Sequence, residues 1–335
     1  MRYLSLLLCA LMIAGCGQKN TGDQAAKPLK IGLVFDVGGR GDKSFNDAAY
    51  RGLEKAKKEL GAEFEYIEPG PGADREAALR QFASRDDIRL VFGIGFIFTD
   101  DITNVAKEFP DKKFACVDYS VDPAKPLPPN LVALEFKEEE GSFLVGALAA
   151  LLTKTNTVGF VGGMQSPLIR KFEAGYRAGV AASNPACKVL VAYAGITGEA
   201  FKNPGKGKEI ALGQYASGAD IIYHASGVTG LGVFEAAREK QKLAIGVDSD
   251  QYHEAPGFVL TSMTKIVDTS VFATIKAAID GTFPGGTVMT FDLKSKGIDY
   301  VYDENNKKLI PDTVRASVER LRAKIIAGEI AVPYQ

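Results

Sequence analysis

Three aspartates, two phenylalanines and one lysine carry the chemistry that this sequence can do. Asp36 ends an apolar run at Ile31–Phe35, Asp118 ends another at Phe114–Val117, and Asp248 follows Gly246-Val247. Gly227 lies just beyond a fourth run, Ile221–His224. Phe45 and Asn46 stand a short Gly-rich turn after Asp36, Phe201 lies in the loop 195–205, and Lys265 follows Thr261–Thr264. An aspartate at a strand end is often only a helix cap. Carboxylates collected in a cleft would repel phosphate and favour groups that donate hydrogen bonds, such as vicinal hydroxyls or a ring N–H. Phe45 and Phe201 would offer faces to a planar ring. Lys265 is expected to balance Asp248.

The elements that must position these residues are strands followed by helices. Ile31–Phe35 is continuously apolar, as parallel strands covered on both faces are. Gly38, Gly39 and Gly41 allow a tight turn, and Ser44 with Asp47 has capping-box spacing. Ala49, Leu53, Ala56 and Leu60 then follow helical spacing up to Gly61. Asp36 and Phe45-Asn46 should therefore meet at the carboxyl edge of a sheet, where open α/β sheets bind ligands.

The alternation continues along the chain. Strands are expected at 64–67, 90–93 and 114–117, with helices at 74–84 and around Ile102–Phe109 and a turn at Pro69–Gly72. Pro123, Pro126, Pro128 and Pro129 mark a crossing between domains or a surface loop. Glu138, Glu139 and Glu140 open an apolar helix, and favouring its dipole accounts for them. A second series has strands at 158–161, 189–193, 221–224, 244–247 and 258–262, with helices at 168–182, 206–217, 228–240 and 267–279. Two short strands (288–293, 300–302) and a helix through Val314–Ile325 end it. Right-handed crossovers and two parallel sheets facing across a cleft follow.

At 335 residues the chain suits two domains. The expected division is 29–135 plus 262–290 for lobe 1, and 136–261 plus 291–335 for lobe 2. Net charge is −1 and the apolar share 46%, with no basic excess for nucleic acid. Leu4–Gly15 is uncharged and too short to span a bilayer, but suits the core of a secretory signal over residues 1–15. Ile13-Ala14-Gly15-Cys16 is a lipobox pattern, which makes Cys16 the lipidated residue and 16–28 a tether to the membrane. Cys116 and Cys187 read as core thiols in different sheets rather than a disulfide. His224 and His253 stand alone, so no metal-ligand spacing exists.

Competing motifs fail. In Gly39–Ser44 the third glycine of a dinucleotide fingerprint is Ser44, and the Gly-Lys-Ser adjacency of a phosphate loop is missing. There is no G-x-S-x-G and no nucleophile beside His253, so no catalytic constellation is visible.

Taken together the chain resembles the basic membrane lipoprotein family of ABC-transporter substrate-binding proteins, also called the purine nucleoside receptor family. The matching stretches are Phe35-Asp36, Asp42–Asn46, Phe114–Asp118, Gly207–Glu209, Gly218–Asp220, Ile245–Gln251 and Ile325–Pro333. The resemblance implies a type I periplasmic-binding-protein fold: two doubly wound parallel-sheet α/β lobes, a hinge and a ligand cleft. It implies a lipid-anchored, extracytoplasmic, monomeric receptor in the cell envelope that uses no cofactor and serves a permease and an ATPase. Phe45 and Phe201 would sandwich the base, Asp36, Asn46 and Asp118 would meet its edge, and Gly227, Asp248 and Lys265 would hold the ribose. A carboxylate accepts the N1–H of guanine or hypoxanthine but meets a lone pair at N1 of adenine, so guanosine or inosine is expected over adenosine. The alternatives are a receptor for a simple sugar or another small polar metabolite, a nucleoside-acting enzyme, and an anchored signalling module.

Overall fold

The computed structural model describes residues 28–70 and 74–335. The expected signal segment, Cys16 and nearly all of the tether lie outside the described residues, as does part of the turn at Pro69–Gly72. No helix among the described residues is long and apolar enough to cross a membrane.

The first lobe is built from β1 (Lys30–Val34), α1 (Phe45–Leu60), β2 (Glu63–Ile67), α2 (Arg75–Ala83), β3 (Ile88–Ile94), α3 (Thr99–Glu108), β4 (Lys113–Val117) and β5 (Leu131–Phe136). The second follows with α4 (Glu138–Leu152), β6 (Thr157–Met164), α5 (Pro167–Ser183), β7 (Lys188–Gly195), α6 (Pro204–Ala216), β8 (Ile221–Ala225), α7 (Thr229–Lys240), β9 (Leu243–Asp248) and β10 (Val259–Lys265). The chain then supplies α8 (Val267–Ile279), β11 (Val288–Phe291), β12 (Ile298–Tyr300) and α9 (Asp312–Ile326). One sheet has the order β2-β1-β3-β4-β5-β11 and the other β7-β6-β8-β9-β10-β12. Each is parallel except for the antiparallel pair β10–β12. In both, strand order reverses beside the first strand of the lobe, which opens a crevice at the carboxyl edge.

Local chemistry starts and stops the helices. Asp42, not Ser44, caps α1: its carboxylate accepts from the backbone N–H of Ser44 (2.9 Å), Asn46 (2.8 Å) and Asp47 (3.1 Å). The Asp47 side chain reaches back to the N–H groups of Gly41 and Lys43. Gly61, at φ 67°, closes the helix. In the second lobe Ser166 accepts from the Ile169 N–H with Pro167 in the first turn, a plain cap.

The expected lobe boundaries shift. The Pro-rich stretch is a surface loop of the first lobe, and it leads into β5, a strand not anticipated there. Leu131–Phe136 was hidden between a proline pair and an acidic run, yet every residue of it but Glu135 is buried. The first crossing therefore follows Phe136. The expected break at 262 falls inside β10, which pairs with β9 on one side and β12 on the other. Thr261, Ser262 and Thr264 look like a strand end in sequence, but β-branched and small hydroxyl residues pack well in a covered strand. The chain returns to the first lobe at Ile266, where α8 packs on α1, and leaves it again after Phe291.

α4 is apolar around most of its circumference, and is accordingly buried on nearly every side against α5 and α9. The largest cluster of buried apolar side chains runs through both lobes. Cys116 is buried in β4, whereas Cys187 is half-buried just before the edge strand β7; both are free thiols, and only Cys116 is a core residue.

Candidate ligand-binding site

All eight predicted site residues line one cleft between the lobes, with about 510 Å³ of atom-free space, its mouth included. Asp36, Phe45, Asn46 and Asp118 come from the first lobe, and Phe201, Gly227, Asp248 and Lys265 from the second.

Asp36 sits at the switch point after β1. Its Oδ1 accepts from the Val37 N–H at 2.6 Å, and its own N–H donates to Asn46 Oδ1 at 3.1 Å. Gly95, just beyond β3, lets the chain pass so close that a Cβ there would stand 2.1 Å from Asp36 Oδ2. Burial pushes the Asp36 carboxyl up to about 7, only partly opposed by the Val37 hydrogen bond. Asn46 has both ends of its amide engaged, since its Nδ2 donates to Asp42 Oδ2 at 3.1 Å. Burial likewise lifts Asp42 to about 6 against three backbone donors.

Asp118 and Asp248 occupy matching places at the ends of β4 and β9. Both adopt the left-handed backbone conformation, at φ 59° and 63°. That conformation is uncommon outside glycine, and strain of this kind gathers where a fold aims side chains at a ligand. Burial raises both carboxyls, Asp118 to about 7, with Lys265 pulling the other way.

The expected pairing of Lys265 with Asp248 is not the direct contact found. Lys265 Nζ donates to Oδ1 and Oδ2 of Asp118 at 2.7 and 2.8 Å, and to Glu138 Oε1 at 3.0 Å. Asp248 contributes to the charge around Lys265, but its Oδ2 accepts from the Ser44 hydroxyl at 2.6 Å. Ser44 thus reaches across the cleft instead of capping its own helix, because Asp42 already occupies the helix donors. Burial disfavours the Lys265 ammonium, yet Asp118 and Glu138 outweigh it and hold the group charged. The rings of Phe136, Phe45 and Phe172 lie 4.8, 5.2 and 5.6 Å from its Nζ.

The ring of Phe201 lies over Gly163, where a Cβ would come within 2.3 Å of it. Its loop is pinned by Thr229, which donates to the Ala200 carbonyl at 2.7 Å and accepts from the Asn203 N–H at 2.8 Å. Gly227, at φ 57°, brings backbone beside Phe201.

Sequence reasoning missed Asp42, Phe96, Phe172 and Glu138. Phe96 follows Gly95 at a carboxyl strand end, a signal that was available. Stabilising the helix dipole does not account for Glu138: it is fully buried, and against the cost of burial Lys265 and Lys171 hold its carboxyl below the ordinary range. His224 is a buried core residue that contacts Gln251 and Ser226, and burial lowers its pKa to about 4. His253 is exposed. Among the described residues no group of His, Cys, Asp and Glu is arranged to hold a metal ion.

Comparison with known proteins agrees with this geometry. The family profile described as "ABC transporter substrate-binding protein PnrA-like" matches residues 29–335. The chain is 37% identical to a "CD4+ T-cell-stimulating antigen" of Listeria innocua, over 98% of this chain and 97% of that one. It is 35% identical to the "ABC transporter nucleoside-binding protein BmpA" of Lactococcus lactis, over 98% and 96%. An ABC transporter solute-binding protein from Aeropyrum pernix superposes with a TM-score of 0.84 at 28% identity, over 92% of this chain and 94% of that one. A sugar transporter protein from Clostridium phytofermentans, at 13% identity and a TM-score of 0.61, shares the two-lobed periplasmic-binding-protein-like fold. Family match, full-length relatives and the two-sheet cleft lead to one assignment: this chain belongs to the Bmp family of PnrA-like ABC transporter substrate-binding proteins.

Proposed function

We propose that the cleft binds a purine nucleoside, guanosine or inosine in preference to adenosine, and that the protein delivers it unchanged to a membrane permease and its ATPase. The observation that carries the reading is the charge balance of the cleft. Asp36, Asp42, Asp118 and Asp248 line it, and Lys265, the one cationic side chain among the described lining residues, already holds Asp118 and Glu138. A phosphate would meet carboxylates there, whereas ribose hydroxyls and a ring N–H meet acceptors. Phe45 and Phe201 supply flat faces, and the Lactococcus relative is named as a nucleoside-binding protein.

Recognition of N1–H calls for an ionised carboxylate. With the Asp36 carboxyl near 7, binding then releases a proton below neutrality, and affinity rises with pH up to about 7. Calorimetry tests the assignment. Inosine and guanosine should bind, adenosine about tenfold more weakly for one lost charged hydrogen bond. Phe45→Ala should weaken inosine binding roughly ten- to hundredfold, the usual worth of one stacked base. Adenosine bound as tightly as inosine would refute the ordering, and an unaffected Phe45→Ala variant would favour a sugar-like ligand instead. Prolonged incubation with inosine should release no hypoxanthine.

The same reading includes a lipid on Cys16 that anchors a monomer outside the cytoplasm. Protein extracted from membranes should carry that lipid by mass spectrometry, and Cys16→Ser should move it to the soluble fraction.

A further inference from the structure

Lys265 is held from behind as well as from the cleft. Glu138 begins α4 directly after the first crossing, is fully buried, and lines a neighbouring cavity rather than the ligand cleft. One carboxylate oxygen takes Lys265 Nζ at 3.0 Å and the other pairs with Lys171 Nζ at 2.9 Å. Lys171 Nζ, on α5, also donates to the carbonyl of Phe136 at 2.9 Å, the last residue of β5 before the crossing. The result is an alternating row of charges, Asp118–Lys265–Glu138–Lys171, in which Asp118 belongs to the first lobe and the other three to the second, with Lys171 reaching back to the first lobe at the Phe136 carbonyl. Lys265 Nζ spends its three donors on Asp118 twice and Glu138 once.

We infer that Glu138, backed by Lys171, is a positioning residue for the cleft: it fixes the Lys265 ammonium against Asp118 and so sets both ligand affinity and the closed arrangement of the lobes. Without Glu138 the long Lys265 side chain keeps partners on one side only, and its ammonium moves with the first lobe instead of bracing it against the second. A carboxylate one charge removed from the cleft surface thereby controls how the cleft grips.

The binding half of the test rests on the nucleoside reading, and the other half does not. Glu138→Gln should weaken inosine binding about tenfold, the worth of one buried charge-assisted hydrogen bond, and should enlarge the radius of gyration measured by X-ray scattering without ligand. It also removes the nearest carboxylate from Lys171, leaving Glu139 at 3.8 Å and Glu135 at 4.0 Å, and should lower the melting temperature. Glu138→Gln combined with Lys171→Met removes both charges of that pair, so the melting temperature should recover while affinity stays low and the radius stays large. Affinity that returns together with stability would reduce Glu138 to a merely structural part and overturn the inference. If the wild type ignores inosine, the nucleoside reading falls by itself. Scattering then decides the positioning role: curves for the double variant that superpose on wild type would sink it.

Discussion

The two lobes share a strand order but arm it differently. β4 and β9 occupy equivalent places, and each ends in an aspartate forced into the left-handed region, Asp118 and Asp248. Around the first strand of each lobe the likeness fails. After β6 only Gln165 and Ser166 precede α5, and Ser166 merely caps it. After β1 a ten-residue turn, 35–44, intervenes, bringing Asp36 and Asp42 to the cleft and sending Ser44 across it. The first lobe adds two acids on a long turn to the one at its strand end; the second works from a strand end and a pinned loop carrying Phe201. A repeated scaffold fixes where side chains can be aimed, and turn length decides how many arrive.

Equivalent aspartates in unequal settings give the strongest test of this comparison. Asp118→Asn should weaken inosine binding by about a hundredfold or more and lower the melting temperature, because it strips a buried ammonium of its bidentate partner. Asp248→Asn, which disturbs a hydroxyl contact, should cost about tenfold, as one charged hydrogen bond does. Equal losses measured by calorimetry would mean that position in the fold, not the Lys265 partnership, sets their importance.

Asp36 tests the long turn. A carboxyl whose folded pKa is raised from 3.8 to about 7 binds its proton more tightly in the folded state. It therefore withdraws no stability below about pH 4, withdraws progressively more as pH rises, and withdraws most above about pH 7. Asp36→Asn should raise the melting temperature of the free protein by a few degrees at pH 7.5, with the gain fading toward pH 4, while it abolishes discrimination between inosine and adenosine. A variant less stable than wild type at pH 7.5 would contradict the assigned cost of burial. Smallest is the cross-cleft bond: Ser44→Ala should weaken inosine binding about fivefold, near 1 kcal/mol. No change would leave closure to the remaining contacts between the lobes, Lys265 with Asp118 and Ser249 with the Ser44 carbonyl and Arg51.

The strand–Asp–turn–helix units were legible because their signals are local. Apolar runs, glycines and helical spacing placed Asp36, Asp118 and Asp248 at carboxyl edges without any tertiary information, and the eight residues named from such edges and from family likeness share one cleft. β5 and the end of β10 were harder to read, since prolines, acids and threonines beside a buried strand look like its termination.

What the chain alone determined was the alternating architecture, the two-lobe count and the side-chain types that a cleft would receive, all consequences of residue-by-residue periodicity. Which charge meets which was decided only by packing. Lys265 lies 147 residues from Asp118 and 127 from Glu138, and Ser44 lies 204 from Asp248. Periodicity tells a side chain which face to bury. It holds no record of the partner that lobe docking brings to that face, and burial makes that partner the determinant of protonation.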